Sequence, residues 1–349
     1  MRERRKEGGV TRPLGRWSMG IVVGMTALLF AMTAYAVEIT PFRTGNMSPV
    51  TQIFGIPAAG DAHILDSGSG EVTLTADAAN SFGLSEDLPK ESVTLDGETY
   101  RLALALRYGL GKGIEGGIEV PFVAQSGGVF DGFIQGFHRA FNLENGRRTE
   151  VPRNRLLYLY QRDGQDKLHY EDSGMGIGDL RLQAGIRLYD DGASAPRRAA
   201  LRAELKLPTG NSDRLRGSGS VDFSLWLTGS DDYGLGEWGH LTIFGGGGGT
   251  VMSRGDVLPD QQRTLAGFGM LGFGWSPVEW FAFKAQATFQ TSIYQASTLP
   301  EIGEAALIGI AGFTFALTKN TTLDIGITED MILSAAPDVA FHLALSQRF

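Results

Sequence analysis

The 349-residue chain has no cysteine, which excludes disulfides, thiolate metal centres and a cysteine nucleophile. It lacks a basic surplus: 31 Lys+Arg stand against 39 Asp+Glu, a net charge of −8. A surface built to grip phosphates is therefore not expected, nor is a nucleic-acid partner. Long apolar runs are missing beyond residue 36. The uncharged stretches Thr264–Val278 and Ala305–Thr318 fall short of the roughly 18 residues a membrane helix needs. Neither a G-x-S-x-G elbow nor an H-E-x-x-H pattern occurs, so the common hydrolase signatures are absent too. Glycine, by contrast, is abundant, with 49 residues, about twice the usual share of roughly 7%.

The N-terminus reads as an address. Arg2, Arg4, Arg5, Lys6, Arg12 and Arg16 precede an uncharged stretch from Met19 to Thr33, and Ala34-Tyr35-Ala36 follows. A basic region, a short apolar region and a small-x-small site are the three parts of a cleaved secretory signal peptide. The expected division is a signal peptide over 1–36, a periplasmic N-terminal segment over 37–69 and a barrel over 70–349.

The remainder alternates with period two. In 98–109, Tyr100, Leu102, Leu104, Leu106 and Tyr108 share one face, while Arg101 and Arg107 lie on the other. A helix would scatter those arginines, whereas a strand puts them on one side. The same pattern sets Glu115 and Glu119 opposite Ile114, Ile118 and Phe122, and Arg181 and Arg187 opposite Leu180, Leu182 and Ile186. It also sets Arg202, Glu204 and Lys206 opposite Leu201, Leu205 and Leu207, and Lys284 opposite Phe281 and Phe283. At the C-terminus His342 opposes Phe341, Leu343, Leu345 and Phe349. Strands of about 10–12 residues suit a tilted bilayer crossing better than a soluble sandwich. The fold class expected is all-β: a transmembrane antiparallel up-and-down β-barrel of about twelve strands, placed in a bacterial outer membrane. Phe341, Leu343, Leu345 and the terminal Phe349 form its membrane-insertion signal. The partners expected are outer-membrane lipid and, during insertion, the barrel-assembly machinery.

Tight turns at Leu110–Lys112, Pro277–Val278 and Lys319–Asn320 read as periplasmic, and the long loop 125–175 as external. Pairing 176–189 with 197–207 so that Asp179 faces Lys206 and Arg181 faces Glu204 gives two favourable cross-strand pairs. The glycine run Gly245–Gly249 is expected to make a bulge or kink.

Three stretches carry a resemblance: Pro121-Phe122-Val123, Asp131–His138, and Lys206-Leu207-Pro208-Thr209-Gly210 followed by Gly217-Ser218-Gly219-Ser220. From Phe42 onward the chain resembles an uncharacterised, domain-of-unknown-function family of outer-membrane barrels. The last pair of motifs is also similar to one in the outer-membrane proteins of phenol-degradation operons. The resemblance implies fold and location, with no substrate.

Inside the barrel the expected lumen-lining residues are Arg101, Arg107, Glu115, Glu119, Asp179, Arg181, Arg187, Arg202, Glu204, Lys206, Lys284 and His342, together with Asp222 and Asp324. Their near balance of sign suits a weakly selective polar pore, or an interior filled by its own charge pairs. In the outer loop, Phe133, Ile134, Phe137 and Phe141 share one helical face, so a helix is expected near 131–143 and a hairpin over 155–171 around Asp163-Gly164. No catalytic residue, metal or cofactor is expected. The function expected is a passive narrow channel or binding barrel for a small solute. A structural, non-conducting barrel with a charge-filled lumen is the alternative, and a lipid-modifying enzyme the third.

Overall fold

The computed structural model describes residues 37–349 apart from 59, 131, 133–150, 194 and 332–334. The strands are β1 (Gly70–Asp87), β2 (Glu91–Gly111), β3 (Ile114–Ser126), β4 (Leu157–Arg162), β5 (Gln165–Tyr170), β6 (Gly174–Ile177), β7 (Leu180–Asp190) and β8 (Arg197–Leu207). They continue as β9 (Asp222–Gly234), β10 (His240–Met252), β11 (Leu265–Val278), β12 (Phe281–Gln290), β13 (Ala306–Thr318), β14 (Thr321–Asp330) and β15 (Val339–Arg348). Each wall strand pairs antiparallel with its neighbours, and β1 closes on β15 from Glu71↔Arg348 to Asn80↔Val339. β3 pairs with both β6 and β7, which are two pieces of one wall strand. The result is a closed barrel of 12 strands. Closure leaves no strand edge in the hydrocarbon, where an unpaired amide has no water to turn to.

The two faces differ as a membrane demands. Leu102, Leu104 and Leu106 of β2 point outward and stay 46%, 50% and 40% exposed, while Arg107 on the opposite face of the same strand is 3% exposed. Tyr108, Trp238 and Trp275 gather near the short-turn end, with the Trp275 indole donating to the Trp238 carbonyl at 2.9 Å. That end faces the periplasm, by the asymmetry of turn and loop lengths. At the opposite end β1 and β2 rise beyond the apolar belt, and β4 adds to β2 there from Glu91↔Arg162 to Asp96↔Leu157. β4 and β5 form the hairpin, turning at Asp163 and Gly164 with positive φ. The helix expected near 131–143, with Phe133, Ile134, Phe137 and Phe141, lies outside the described residues. A single turn of helix, α1 (Pro300–Gly303), stands in another outer loop.

Three expectations need correction. Residues 37–69 are not a periplasmic tail: they thread the lumen. The segment enters beside the β11–β12 turn, where Val37 N–H bonds Glu279 O at 2.6 Å. It rises past Lys284 and Gln286 of β12, turns over 48–54 beneath the outer loops, and descends past Asp222, Thr228 and Arg202 to β1. Lacking any regular period, it has no strand signature, and its carbonyls are satisfied by wall side chains instead of a ladder.

The second concerns register. Arg181 faces Lys206 and Gln183 faces Glu204, two residues away from the register that charge pairing favoured. Both ion pairs nevertheless form along the diagonal: Arg181 to Glu204 at 3.1 Å and Lys206 to Asp179 at 2.5 Å. Long side chains reach diagonal neighbours in a twisted sheet, so charge complementarity does not discriminate between the two registers.

Third, Gly245–Gly249 runs through the middle of β10 with continuous pairing on both sides; there is no bulge. Gly248 lies directly opposite Trp226, and a Cβ there would sit 2.5 Å from the Trp226 Cβ. The glycine clears space for an indole inside the barrel.

Leu104 is central to the apolar belt, whereas Leu110 is at the periplasmic turn. Leu104→Arg should cost about 2–4 kcal/mol and Leu110→Arg about 0–1 kcal/mol, measured by reversible denaturant unfolding in lipid vesicles. Equal costs at the two positions would contradict this placement of the membrane.

Candidate functional site

The lumen is where chemistry concentrates, and arginines organise it. Arg107 of β2 lies at the meeting point of Glu71, Glu115 and Asp61, at 2.8, 3.1 and 3.1 Å. Arg202 of β8 pairs with Glu115 at 2.8 Å and with Asp61 at 3.0 Å, and also donates to the carbonyls of Asp61 and His63. Higher up, Arg101 pairs with Glu119, while Arg181 pairs with Glu204 and donates to the Phe54 carbonyl at 3.2 Å. Near the periplasm, Arg198 and Arg348 converge on Glu38, and Arg187 donates to the Ile64 carbonyl at 2.6 Å and to Asp66. Asp61, Glu38 and these carbonyls belong to the internal segment, so the wall holds it mainly by charge-assisted hydrogen bonds, the stronger kind.

A second cluster fixes the top of the descending arm. The fully buried Lys206 ammonium donates to Asp179 Oδ2, Ser218 Oγ at 2.6 Å and the Ser220 carbonyl at 2.9 Å, and lies 3.3 Å from Asp222. Asp222 in turn accepts the Gly55 N–H at 2.7 Å and the Ser220 hydroxyl. Asp179 also accepts Gly210 N–H and Ser218 N–H. A Cβ at Gly217 would meet Asp179 Oδ1 at 2.2 Å. The Lys206–Gly210 and Gly217–Ser220 motifs are therefore a latch that folds their loop onto the wall, and every atom of its chemistry is used in doing so.

On the rising arm, Lys284 pairs with Asp324 at 2.9 Å, donates to the Thr40 carbonyl and sits 4.1 Å over the Phe42 ring. His342 bonds Asp77 at 2.7 Å and meets Phe42 edge-on. Through these two contacts it ties β15 to β1 and to the rising arm.

Every residue expected to line the lumen thus points inward. Sequence reasoning missed Glu71, Asp77, Arg198 and Trp226 on the wall and the whole internal segment; Arg348 shares the inward face of the last strand with His342 by its alternation, yet the expected lumen set omits it. The available signal was the density of large apolar residues in 37–65, among them Phe42, Val50, Ile53 and Phe54, all now buried. A solvated tail has no use for them.

Among the described residues two cavities of the lumen stand out. A central one of about 60 Å³ is lined by Arg43, Ala58, Arg101, Trp226, Phe268 and Thr288. A periplasmic one of about 150 Å³ is lined by Glu38, Arg43, Gly60, Asp61, Asp324 and Arg348. Arg43 borders both, with Ala58 facing the central one and Gly60 and Asp61 the periplasmic one. Above, Val50, Ile53 and Phe54 join Tyr158, Tyr160, Tyr170, Leu258, Tyr294 and Ile302 in an apolar seal under the β4–β5 hairpin.

With this geometry established, known proteins can be compared. The profile of a family described as "Protein of unknown function (DUF3187)" matches residues 18–349. No curated protein matches the chain. Among solved structures, the COG4313 outer membrane channel from Pseudomonas putida F1 is similar with TM-score 0.52 and 13% identity, covering 83% of this chain and 99% of that one. The NanC porin aligns at 0.44 and 8% (79% and 98% covered), and the KdgM porin at 0.40 and 7% (80% and 99%). The fold is that of an outer-membrane β-barrel, and the bacterial outer membrane is its location.

The outer seal depends on one carboxylate. Burial pushes Glu91 up, but the backbone N–H of Thr298 and the hydroxyls of Tyr160, Thr298 and Ser297 overcome that and hold it down at about 2. A carboxylate depressed in the folded state stabilises fully above its unfolded pKa of about 4.3 and loses that contribution as pH falls through the folded value. Protease susceptibility of the β4–β5 hairpin should therefore rise as pH drops from about 4.3 towards 2. Glu91→Gln should be susceptible at every pH and flat across that window; a wild-type-like pH curve in the variant would refute the role.

Proposed function

This chain belongs to the DUF3187 family of proteins of unknown function, and we propose that it is a passive outer-membrane channel for small solutes, held closed by its own N-terminal segment. The observation that carries the reading is the pair of cavities along the lumen, both bordered by Arg43, with Ala58 at the central one and Gly60 and Asp61 at the periplasmic one. The descending arm there has Pro57, Ala58, Gly60 and Asp61 as its described residues, which carry little apolar surface to re-expose. It is held by Asp222, Ser224, Thr228, Arg202 and Arg107. Water or a ligand entering from the adjoining cavities can replace these hydrogen bonds, so a local displacement costs less than re-exposing apolar side chains. Ejecting the whole segment is a different matter: Phe42, Val50 and Phe54 are each fully buried, and each such side chain contributes roughly 1.5–3 kcal/mol. Opening is accordingly a shift of the descending arm, not loss of the plug. The likeness to a solved channel supports the fold on which this reading stands.

A structural, non-conducting barrel is the competing reading, favoured by the filling of the lumen with ion pairs. A staple separates the two. A Cβ at Gly274 would lie 2.4 Å from Ile39 Cγ2, so an Ile39→Cys/Gly274→Cys disulfide would tie the rising arm to β11 in a chain with no native cysteine. Asp61→Asn loosens the descending arm. In planar bilayers Asp61→Asn should open more often than wild type, by about tenfold if one charge-assisted bond of ~1.4 kcal/mol is lost. The oxidised staple should leave that increase intact, because the rising arm need not move. Absence of openings in wild type and Asp61→Asn alike, with barrels intact by heat-modified gel mobility, would establish the structural reading instead.

A further inference from the structure

The two carboxylates of the descending and rising arms sit in sites made by arginine pairs. Arg107 sets its fork on Asp61, with Nη1 and Nη2 at 3.4 and 3.1 Å from the two carboxylate oxygens, and Arg202 adds a bond at 3.0 Å. Glu38 is held by Arg198 at 2.8 Å and by Arg348. Both sites border the periplasmic cavity through Asp61, Glu38 and Arg348. Wall carboxylates do not saturate these four arginines. Arg107 and Arg202 share Glu115, Arg107 and Arg348 share Glu71, and Arg198 pairs at 3.4 Å with Asp190. When the plug shifts, the donors aimed at Asp61 and Glu38 lose their acceptors in a confined lumen, where an unpaired guanidinium donor is costly.

We propose that these arginine pairs are binding sites for the carboxylates of the transported solute, and that Asp61 and Glu38 occupy them as built-in stand-ins. This inference rests on the channel reading and specifies its solute class: small organic acids bearing one or two carboxylates. A planar guanidinium fork matches a carboxylate bidentately and chloride does not, so the sites prefer carboxylates beyond what charge alone gives. An arriving carboxylate competes with the plug for the same donors, and solute and plug therefore exclude one another.

Competition is measurable without current. Ala58 borders the central cavity, and Ala58→Cys supplies a single thiol in a chain that has none. Potassium succinate should accelerate labelling of that thiol by a charged thiosulfonate by about threefold or more over potassium chloride at matched ionic strength, since a competing ligand shifts the plug by mass action. Arg198→Gln/Arg348→Gln, at the more accessible pair, should label faster than the parent and respond less to succinate. Arg202→Lys, which keeps the charge and loses the fork, should also blunt the response. Equal rates in succinate and chloride would overturn the proposal, as would an undiminished succinate effect in both variants. If succinate accelerates labelling while bilayers show no openings, the sites stand and the channel reading falls.

Discussion

The structure depends on a single constraint: a closed sheet in lipid turns all its unpaired polarity inward, and there every buried guanidinium must find an acceptor. Nine-tenths or more of Arg107, Arg181 and Arg202 is buried. Removing one partner from a buried pair costs about 3–5 kcal/mol, because the other charge is left stranded. The wall provides Glu71, Glu115, Glu119 and Glu204, and the internal segment provides Asp61, Glu38 and a row of carbonyls. Wall and plug therefore complete one network, and neither is satisfied alone.

That division of labour explains what could be read from the sequence. Outward rows such as Leu102, Leu104 and Leu106 answer to lipid, a uniform solvent, so their period is strict and the barrel and its strand number were legible. Inward rows answer to particular partners. The register of β7 against β8 shows the consequence: Arg181 reaches Glu204 and Lys206 reaches Asp179 from a pairing two residues away from the one that charge suggested. Charge complementarity between flexible side chains is degenerate, whereas a slip by one residue, which would put the charged row into lipid, is forbidden.

The internal segment was illegible for a related reason. It makes neither helix nor strand, and its acceptors are matched to donors over a hundred residues distant, as in Arg202 to Asp61 and Arg181 to Phe54. Periodicity arguments see only local repetition. Gly248 belongs to the same class of feature: its absent side chain makes sense once Trp226 is seen opposite. So does Gly217, whose place in the resemblance motif follows from the nearness of Asp179.

Closing a lumen with a tethered segment instead of wall side chains changes what closure can do. Side chains that fill a small barrel are fixed by the strands that carry them, and opening would require the sheet to deform. A segment held by discrete hydrogen bonds can exchange them one at a time for water or for a ligand of like chemistry. The apolar anchors at Phe42 and under the β4–β5 hairpin keep the rising arm and the turn in place, while Gly60 and Asp61 are held by hydrogen bonds from Thr228, Arg107 and Arg202. The segment is apolar at its start and crest, polar through Gly60 and Asp61, and apolar again at Ile64 and Leu65, and that alternation selects which part yields first.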